Sequence, residues 1–92
     1  MTVFEVTDVT DWFAGETAEQ VKEAARTYFL ETGMSVDEVD ECLYETPIAL
    51  TDEQMGLFRF CDGDDVWTFV EQLRLMMERG ETFPCFFAST EF

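Results

Sequence analysis

The spacing of apolar and polar residues along the chain predicts alternating short strands and helices. Thr2 to Thr7 alternates imperfectly and is rich in β-branched and aromatic residues, which favours a first strand. A turn is expected through Asp8 to Gly15. Thr17 to Gln20 then has the pattern of a capping box, and the apolar positions from Val21 to Phe29 repeat at helical spacing. We therefore predict a first helix that ends at a left-handed glycine, Gly33.

A second capping box predicts a second, shorter helix. Ser35 is followed three residues later by a glutamate, which is the usual start of such a motif. Val36, Val39 and Leu43 then stand at i, i+3 and i+7, so they share one face of a helix. Pro47 bounds this helix because proline cannot continue it.

The central part of the chain predicts one more helical turn and a strand. Thr51 to Met55 has the pattern of a short helical turn, and Gly56 to Cys61 has the apolar content of a strand. Asp62 to Asp64, with glycine in the middle, is expected to form the turn that follows.

The clearest amphipathic pattern lies near the end of the chain. Asp64 or Asp65 is expected to cap a helix that runs to Gly80. Thr82 to Ala88 is a dense apolar run with a proline near its start, which suits an edge strand. The apolar side chains that repeat at helical spacing, and are expected to face the core, are Val66, Phe69, Val70, Leu73, Met76 and Met77.

These elements predict an α+β fold in the order β-α-α-β-α-β. The economical arrangement is a three-stranded sheet, antiparallel or mixed, with about three helices packed on one face. We find no internal repeat and no linker-like segment, so residues 1–92 are expected to form a single compact domain.

Charge is the most informative feature of the composition. The chain has 21 acidic and five basic side chains, for a formal net charge of -16. Such a charge repels nucleic acid and anionic membranes and attracts basic surfaces. No apolar run approaches the roughly 20 residues of a membrane span, and the chain start lacks the basic residues of a signal peptide. We therefore expect a cytoplasmic protein with a positively charged partner.

Several kinds of chemistry are not expected from this sequence. It contains no histidine, and its cysteines, Cys42, Cys61 and Cys85, form no CxxC pair, so buried free thiols are the simplest interpretation. The acidic stretch Asp62 to Asp65 does not match a calcium loop, because Trp67 stands where the loop needs glycine. We expect no metal, no cofactor and no enzymatic activity. An enzyme that uses carboxylates alone stays an alternative, which requires a pocket lined by two or more acids.

Acidic residues are concentrated in the middle of the chain. No lysine or arginine occurs between Arg26 and Arg59, and eight acids lie there, including Glu31. The first helix differs, because it places lysine and arginine within one turn of its glutamates. A solvated helix face is the plain interpretation, and an adaptation to high salt is another. The interpretation as a partner-binding surface assigns contact roles to Asp37, Glu38, Asp40, Glu41, Glu45, Asp52, Glu53 and Trp67, the last as an aromatic anchor on the exposed side of the final helix.

In size, charge and lack of catalytic motifs, the whole chain resembles the small acidic inhibitors that phages and other mobile elements encode against CRISPR effectors and restriction enzymes. The resemblance is one of composition over all 92 residues. Those inhibitors share no motif as a class, so no functional residue can be transferred. The resemblance implies a non-catalytic DNA mimic, a phage protein acting in the bacterial cytoplasm. Its partner would be a Lys/Arg-rich nucleic-acid-binding protein or a ribonucleoprotein effector complex.

A different class of function would use the end of the chain. Phe83 to Phe92 could add as an edge strand to a partner's sheet, which predicts salt-insensitive binding that depends on Phe86, Phe87 or Phe92. Under the inhibitor hypothesis a monomer without direct nucleic-acid contact is expected. Under the edge-strand hypothesis a homodimer through that strand is possible.

Overall fold

The computed structural model describes residues 1–6 and 11–89, in which strands and helices follow the order β-β-α-α-β-α-β-β-α-β. The chain divides into two compact units, Met1–Ala49 with Phe83–Phe92 and Leu50–Thr82, and each is described by itself. The elements are β1 (Thr2–Glu5), β2 (Asp11–Gly15), α1 (Ala18–Glu31), α2 (Val36–Cys42), β3 (Ile48–Ala49), α3 (Asp52–Leu57), β4 (Arg59–Asp62), β5 (Asp65–Thr68), α4 (Phe69–Glu78) and β6 (Cys85–Ser89).

The first unit is built on a four-stranded antiparallel sheet in the order β3-β1-β2-β6. Phe13 on β2 stands opposite Phe4 on one side and Phe86 on the other. The predicted α+β class is therefore confirmed, while the sheet has four strands where three were expected. The number of helices is also larger than expected, four against three.

Two strands of this sheet, β2 and β3, were not predicted, and at β2 the sequence suggested only a turn. That prediction is wrong for Asp11–Gly15, whose last four residues are all buried. A strand that pairs on both edges and is covered on both faces does not alternate between apolar and polar residues. The sequence therefore did not predict this strand, because its residues do not alternate between apolar and polar. Asp8 to Thr10, the rest of the predicted turn, lie outside the described residues, as does Thr7 of the predicted first strand.

Aromatic rings attach α1 to the sheet. The side chain of Phe13 is only 1 % exposed. Its ring meets Tyr28, Phe29 and Phe86 edge to face, with centroid distances of 5.6, 6.0 and 5.5 Å. Such pairs contribute about 0.5 to 1.5 kcal/mol each beyond the area that they bury. Phe13 therefore connects β2, β6 and the C-terminal half of α1.

The second helix packs against the first through two buried side chains. Val39 and Leu43 belong to the same buried cluster as Phe29. The predicted cap at Ser35 is confirmed, since its hydroxyl accepts a hydrogen bond from the backbone N–H three residues later. Val36, which was expected on the buried stripe, is 54 % exposed.

The second unit contains a β-hairpin that the sequence did not predict. The predicted turn at Thr51 is confirmed and opens α3 with a full capping box, but the helix continues to Leu57. Only the end of the predicted strand Gly56 to Cys61 is a strand, and it pairs with β5 rather than with the sheet. Gly63 makes the hairpin turn with a φ of 63°.

The last helix begins later than expected, and its apolar positions divide into two groups. Its cap is Thr68, so Asp64 and Asp65 were the wrong candidates. Phe69 and Met76 are buried, whereas other members of the predicted core stripe remain exposed. Within residues 1–6 and 11–89 no helix is long and apolar enough to cross a membrane.

Replacing Gly15 by alanine is expected to destabilise the protein by about 1 to 3 kcal/mol. A Cβ at this position would stand 2.7 Å from Cγ2 of Val21 and 3.3 Å from Cβ of Pro84. Both neighbours are stiff and cannot move away cheaply. Urea unfolding followed by circular dichroism measures the change.

The control is Gly56→Ala, where a Cβ meets nothing within 4 Å. Because alanine favours a helix more than glycine does, this substitution is expected to raise the free energy of unfolding by up to about 1 kcal/mol. Equal urea midpoints for the two variants would contradict the packing described at Gly15.

Candidate protein-interaction surface

The acids of α2 all point away from the core. Val39 and Leu43 are buried four residues apart and fix the inward side of the helix. The acidic residues of the helix therefore lie on its outward side. We call the exposed carboxylates of this region the α2 acidic surface; its members are Asp37, Glu38, Asp40, Glu41 and, just beyond the helix, Glu45.

The first two acids of the surface also help to start the helix. Asp37 and Glu38 lie in its first turn, where the helix dipole favours negative charge. The hydroxyl of Ser35 accepts from the backbone N–H of Glu38 and donates to its carboxylate, both at 3.2 Å. Glu41 and Glu45 lie at the other end, where the dipole disfavours negative charge. Helix stability alone therefore does not account for Glu41 and Glu45.

Arg26 on α1 pairs with Asp40 on α2, which corrects the predicted pattern of charge pairing. This is the one ion pair in the described ranges, and Lys22 forms none there. Arg26 was expected to pair with glutamates of its own helix. Asp40 is accordingly not an unneutralised acid. Because the two side chains are 44 % and 58 % exposed, the pair contributes no more than about 1 kcal/mol.

An open groove of about 490 Å³ lies between α1 and α2. Tyr44 stands beside it with 86 % of its surface exposed, a feature that the sequence analysis missed because Tyr44 follows the last helical position. The groove contains three acids, and all three are exposed. The lining residues are Glu19, Lys22, Glu23, Arg26, Asp40, Leu43 and Tyr44.

Two of the predicted contact acids belong to the other unit. Asp52 and Glu53 are exposed in the first turn of α3, within Leu50–Thr82. We therefore do not count them as members of the α2 acidic surface.

Trp67 is not on a helix, so the predicted position is wrong. It lies on β5, half-buried, with its ring stacked on Phe60 at a centroid distance of 5.5 Å. Its indole N–H donates to Oε1 of Gln72 at 2.7 Å. One face of its ring and its polar atom thus have partners in the second unit, which favours a structural role over that of an anchor.

The cysteines are all free, and the expectation that they are buried is not met by any of the three. Cys61 is exposed on β4, while Cys42 and Cys85 are partly buried. Across the described part of the chain, no group of three or more acids and cysteines is placed to hold a metal ion.

The C-terminal strand β6 lies at one end of the strand order. Its aromatic residues, however, belong to the protein interior: Phe87 is 3 % exposed, and Phe86 stacks on Tyr28 at 5.1 Å. Substitutions at these two residues would therefore disturb folding before they tested binding. Phe92 lies outside the described residues.

Comparison with known proteins adds no relative to this picture. No family model, curated protein or solved structure matches the chain.

A double-mutant cycle tests the contact between the two helices. Arg26→Gln, Asp40→Asn and the double variant are expected to reveal a coupling of about 0.2 to 1 kcal/mol that decreases as salt rises. Chemical unfolding supplies the free energies. The cycle of Lys22→Gln with Asp40→Asn is the control, and its coupling should be near zero. Equal coupling in both cycles would mean that the Arg26–Asp40 contact contributes no more than a basic residue that does not contact Asp40.

Proposed function

We propose that this protein is a non-catalytic, stoichiometric inhibitor that binds a Lys/Arg-rich nucleic-acid-binding surface of another protein through the α2 acidic surface. The partner class that fits its composition is a host defence complex of the CRISPR-effector or restriction type, met in the bacterial cytoplasm. The main support is that α2 contains four acids in seven residues and that all four are exposed. Among the described residues, only one of them pairs with an arginine.

The charge density of α2 supports mimicry of a phosphate backbone. Seven helical residues span about 10 Å, so four carboxylates give one charge per roughly 2.6 Å. With Asp40 neutralised by Arg26, three remain, at one charge per roughly 3.5 Å. One strand of duplex DNA carries a charge every 3.4 Å or so. A groove lined by arginine and lysine would meet a similar linear density on α2.

Rigid presentation is the second support. Val39 is fully buried and Leu43 nearly so, and both pack into the cluster that holds α1 to the sheet. The carboxylates therefore start from an ordered backbone. Binding then loses less conformational entropy than it would from a disordered acidic segment.

The alternative proposal is an interaction module that uses the C-terminal edge strand. The place of β6 at the end of the strand order supports it. In this mode main-chain hydrogen bonds would supply the affinity, and salt would change it little. Salt dependence therefore distinguishes the two proposals.

Removing four of the five charges of the α2 acidic surface is expected to weaken partner binding strongly. The variant Glu38→Gln, Asp40→Asn, Glu41→Gln and Glu45→Gln keeps side-chain shape and should weaken capture of a nucleic-acid-handling protein from a bacterial lysate by at least tenfold. Pull-downs at low and at roughly physiological salt, followed by mass spectrometry, measure this.

The control replaces four exposed acids elsewhere in the first unit, Glu16, Glu19, Glu23 and Glu31, by glutamine. It changes the net charge by the same amount and should retain most of the binding. If both variants bound equally well, the partner would be recognising net charge or another surface. Salt-resistant capture of a neutral protein would favour the edge strand.

Duplex DNA should compete with the protein for the captured partner. Both ligands would occupy one cationic groove, so a saturating duplex should displace the protein, and the protein should suppress DNA binding at a molar ratio near one to one. Fluorescence anisotropy of a labelled duplex follows both. A ternary complex of protein, partner and duplex would contradict the mimic.

A further inference from the structure

The apolar arc of α4 is wider than the packing that it makes. Phe69 and Met76 face the interior of the second unit. Val70 and Met77 lie seven residues apart, hence two turns apart on one side, and are 50 % and 52 % exposed. Leu73 lies between them and is half-buried. A second, exposed apolar stripe therefore runs along the helix beside the buried one.

The charge around this stripe differs from the rest of the chain. The segment Val66 to Gly80 contains Glu71, Arg74, Glu78 and Arg79, so its net charge is zero, and the other residues carry the whole of the -16. Arg74 and Glu71 are both exposed, and within residues 1–6 and 11–89 neither forms an ion pair. Arg74 lies beside the stripe, four residues after Val70 and three before Met77. This is a surface on which two copies of an otherwise strongly acidic chain can meet without local repulsion.

From these observations we infer that the exposed stripe of α4 is a self-association surface, which pairs with α4 of a second copy in an antiparallel, two-fold arrangement. In such a pair Val70 of one copy meets Met77 of the other. The same edge of the two helices comes together, so Arg74 of each copy faces Glu71 of its partner, twice by symmetry. Each copy supplies one acid and one base to this contact, so the surface is complementary to itself.

The strength of the association follows from its area and from salt. A ten-residue helix is about 15 Å long and offers less than the roughly 800 Å² per partner of a standard interface. The equilibrium is thus weak, with a dissociation constant of about 10⁻⁵ to 10⁻³ M. Two chains of charge -16 repel each other at long range, and salt screens that repulsion. Self-association therefore strengthens with salt, opposite to the binding of a cationic partner by the α2 acidic surface.

Sedimentation velocity of the whole protein tests this inference between about 10 μM and 1 mM, at roughly 50 mM and 500 mM salt. The average mass should rise towards that of a dimer as concentration increases. The dissociation constant at high salt should be at least tenfold lower than at low salt. Val70→Gln with Met77→Gln should keep the protein monomeric. The matched control, Val36→Gln, changes a valine of similar exposure on α2 and should leave the association unchanged.

A charge exchange tests the arrangement. Glu71→Arg reduces the net negative charge from -16 to about -14, so general electrostatics alone would strengthen the association. Loss of the two Glu71–Arg74 contacts should instead weaken it by at least about threefold. Arg74→Glu should also weaken it, and the double exchange should restore it. Circular dichroism melting checks that each variant folds.

A chain that stays monomeric up to the highest concentration at high salt would overturn the inference, as would association that survives the Val70 and Met77 changes. Failure of the double exchange to restore the dimer would overturn the antiparallel arrangement. None of these outcomes bears on the α2 acidic surface, which is tested by partner capture.

Discussion

The first unit depends on the burial of one side chain, the phenyl ring of Phe13. It sits on the central strand β2 and makes edge-to-face contacts with rings from α1 and β6. Through Phe29, the same cluster extends to Val39 and Leu43, which hold α2. One buried cluster therefore connects α2, which carries the α2 acidic surface, to the sheet. A chain with little charge pairing needs such an apolar connection, because ion pairs between exposed side chains contribute little to holding α1 and α2 together.

Local signals in the sequence were sufficient for the starts of the first two helices. Thr17 and Ser35 each cap a helix as their spacing predicted, because a cap is a contact between residues three positions apart. Gly33 and Gly80 also have the positive φ expected at helix ends. The α2 acids were placed correctly on the exposed side for the same reason, since two buried positions in one short helix determine where the others point.

Strands and side-chain pairings depended on contacts that a local pattern does not contain. β2 is buried on both faces and shows no alternation. Trp67 was placed on the exposed side of the final helix because its apolar neighbours repeat at helical spacing, but it lies in a hairpin, where it stacks on Phe60. The partner of Arg26 was also missed, because Asp40 is 14 residues away while candidate glutamates lie within one turn. In each case a contact formed only on folding competes with a plausible local one and prevails.

The distribution of charge then has a simple physical consequence. At -16 a small protein approaches other acidic molecules only at a cost, and this cost is lowest where its own charge is balanced. The first unit presents four acids on seven residues of α2, whereas the segment Val66 to Gly80 of the second unit, which contains α4, has no net charge and leaves Val70 and Met77 exposed. The two proposed interactions therefore place opposite requirements on a partner: a cationic surface for α2 and an apolar, charge-balanced surface for α4. Because screening would weaken the first and relieve the repulsion that opposes the second, ionic strength distinguishes the two proposals without any change in sequence.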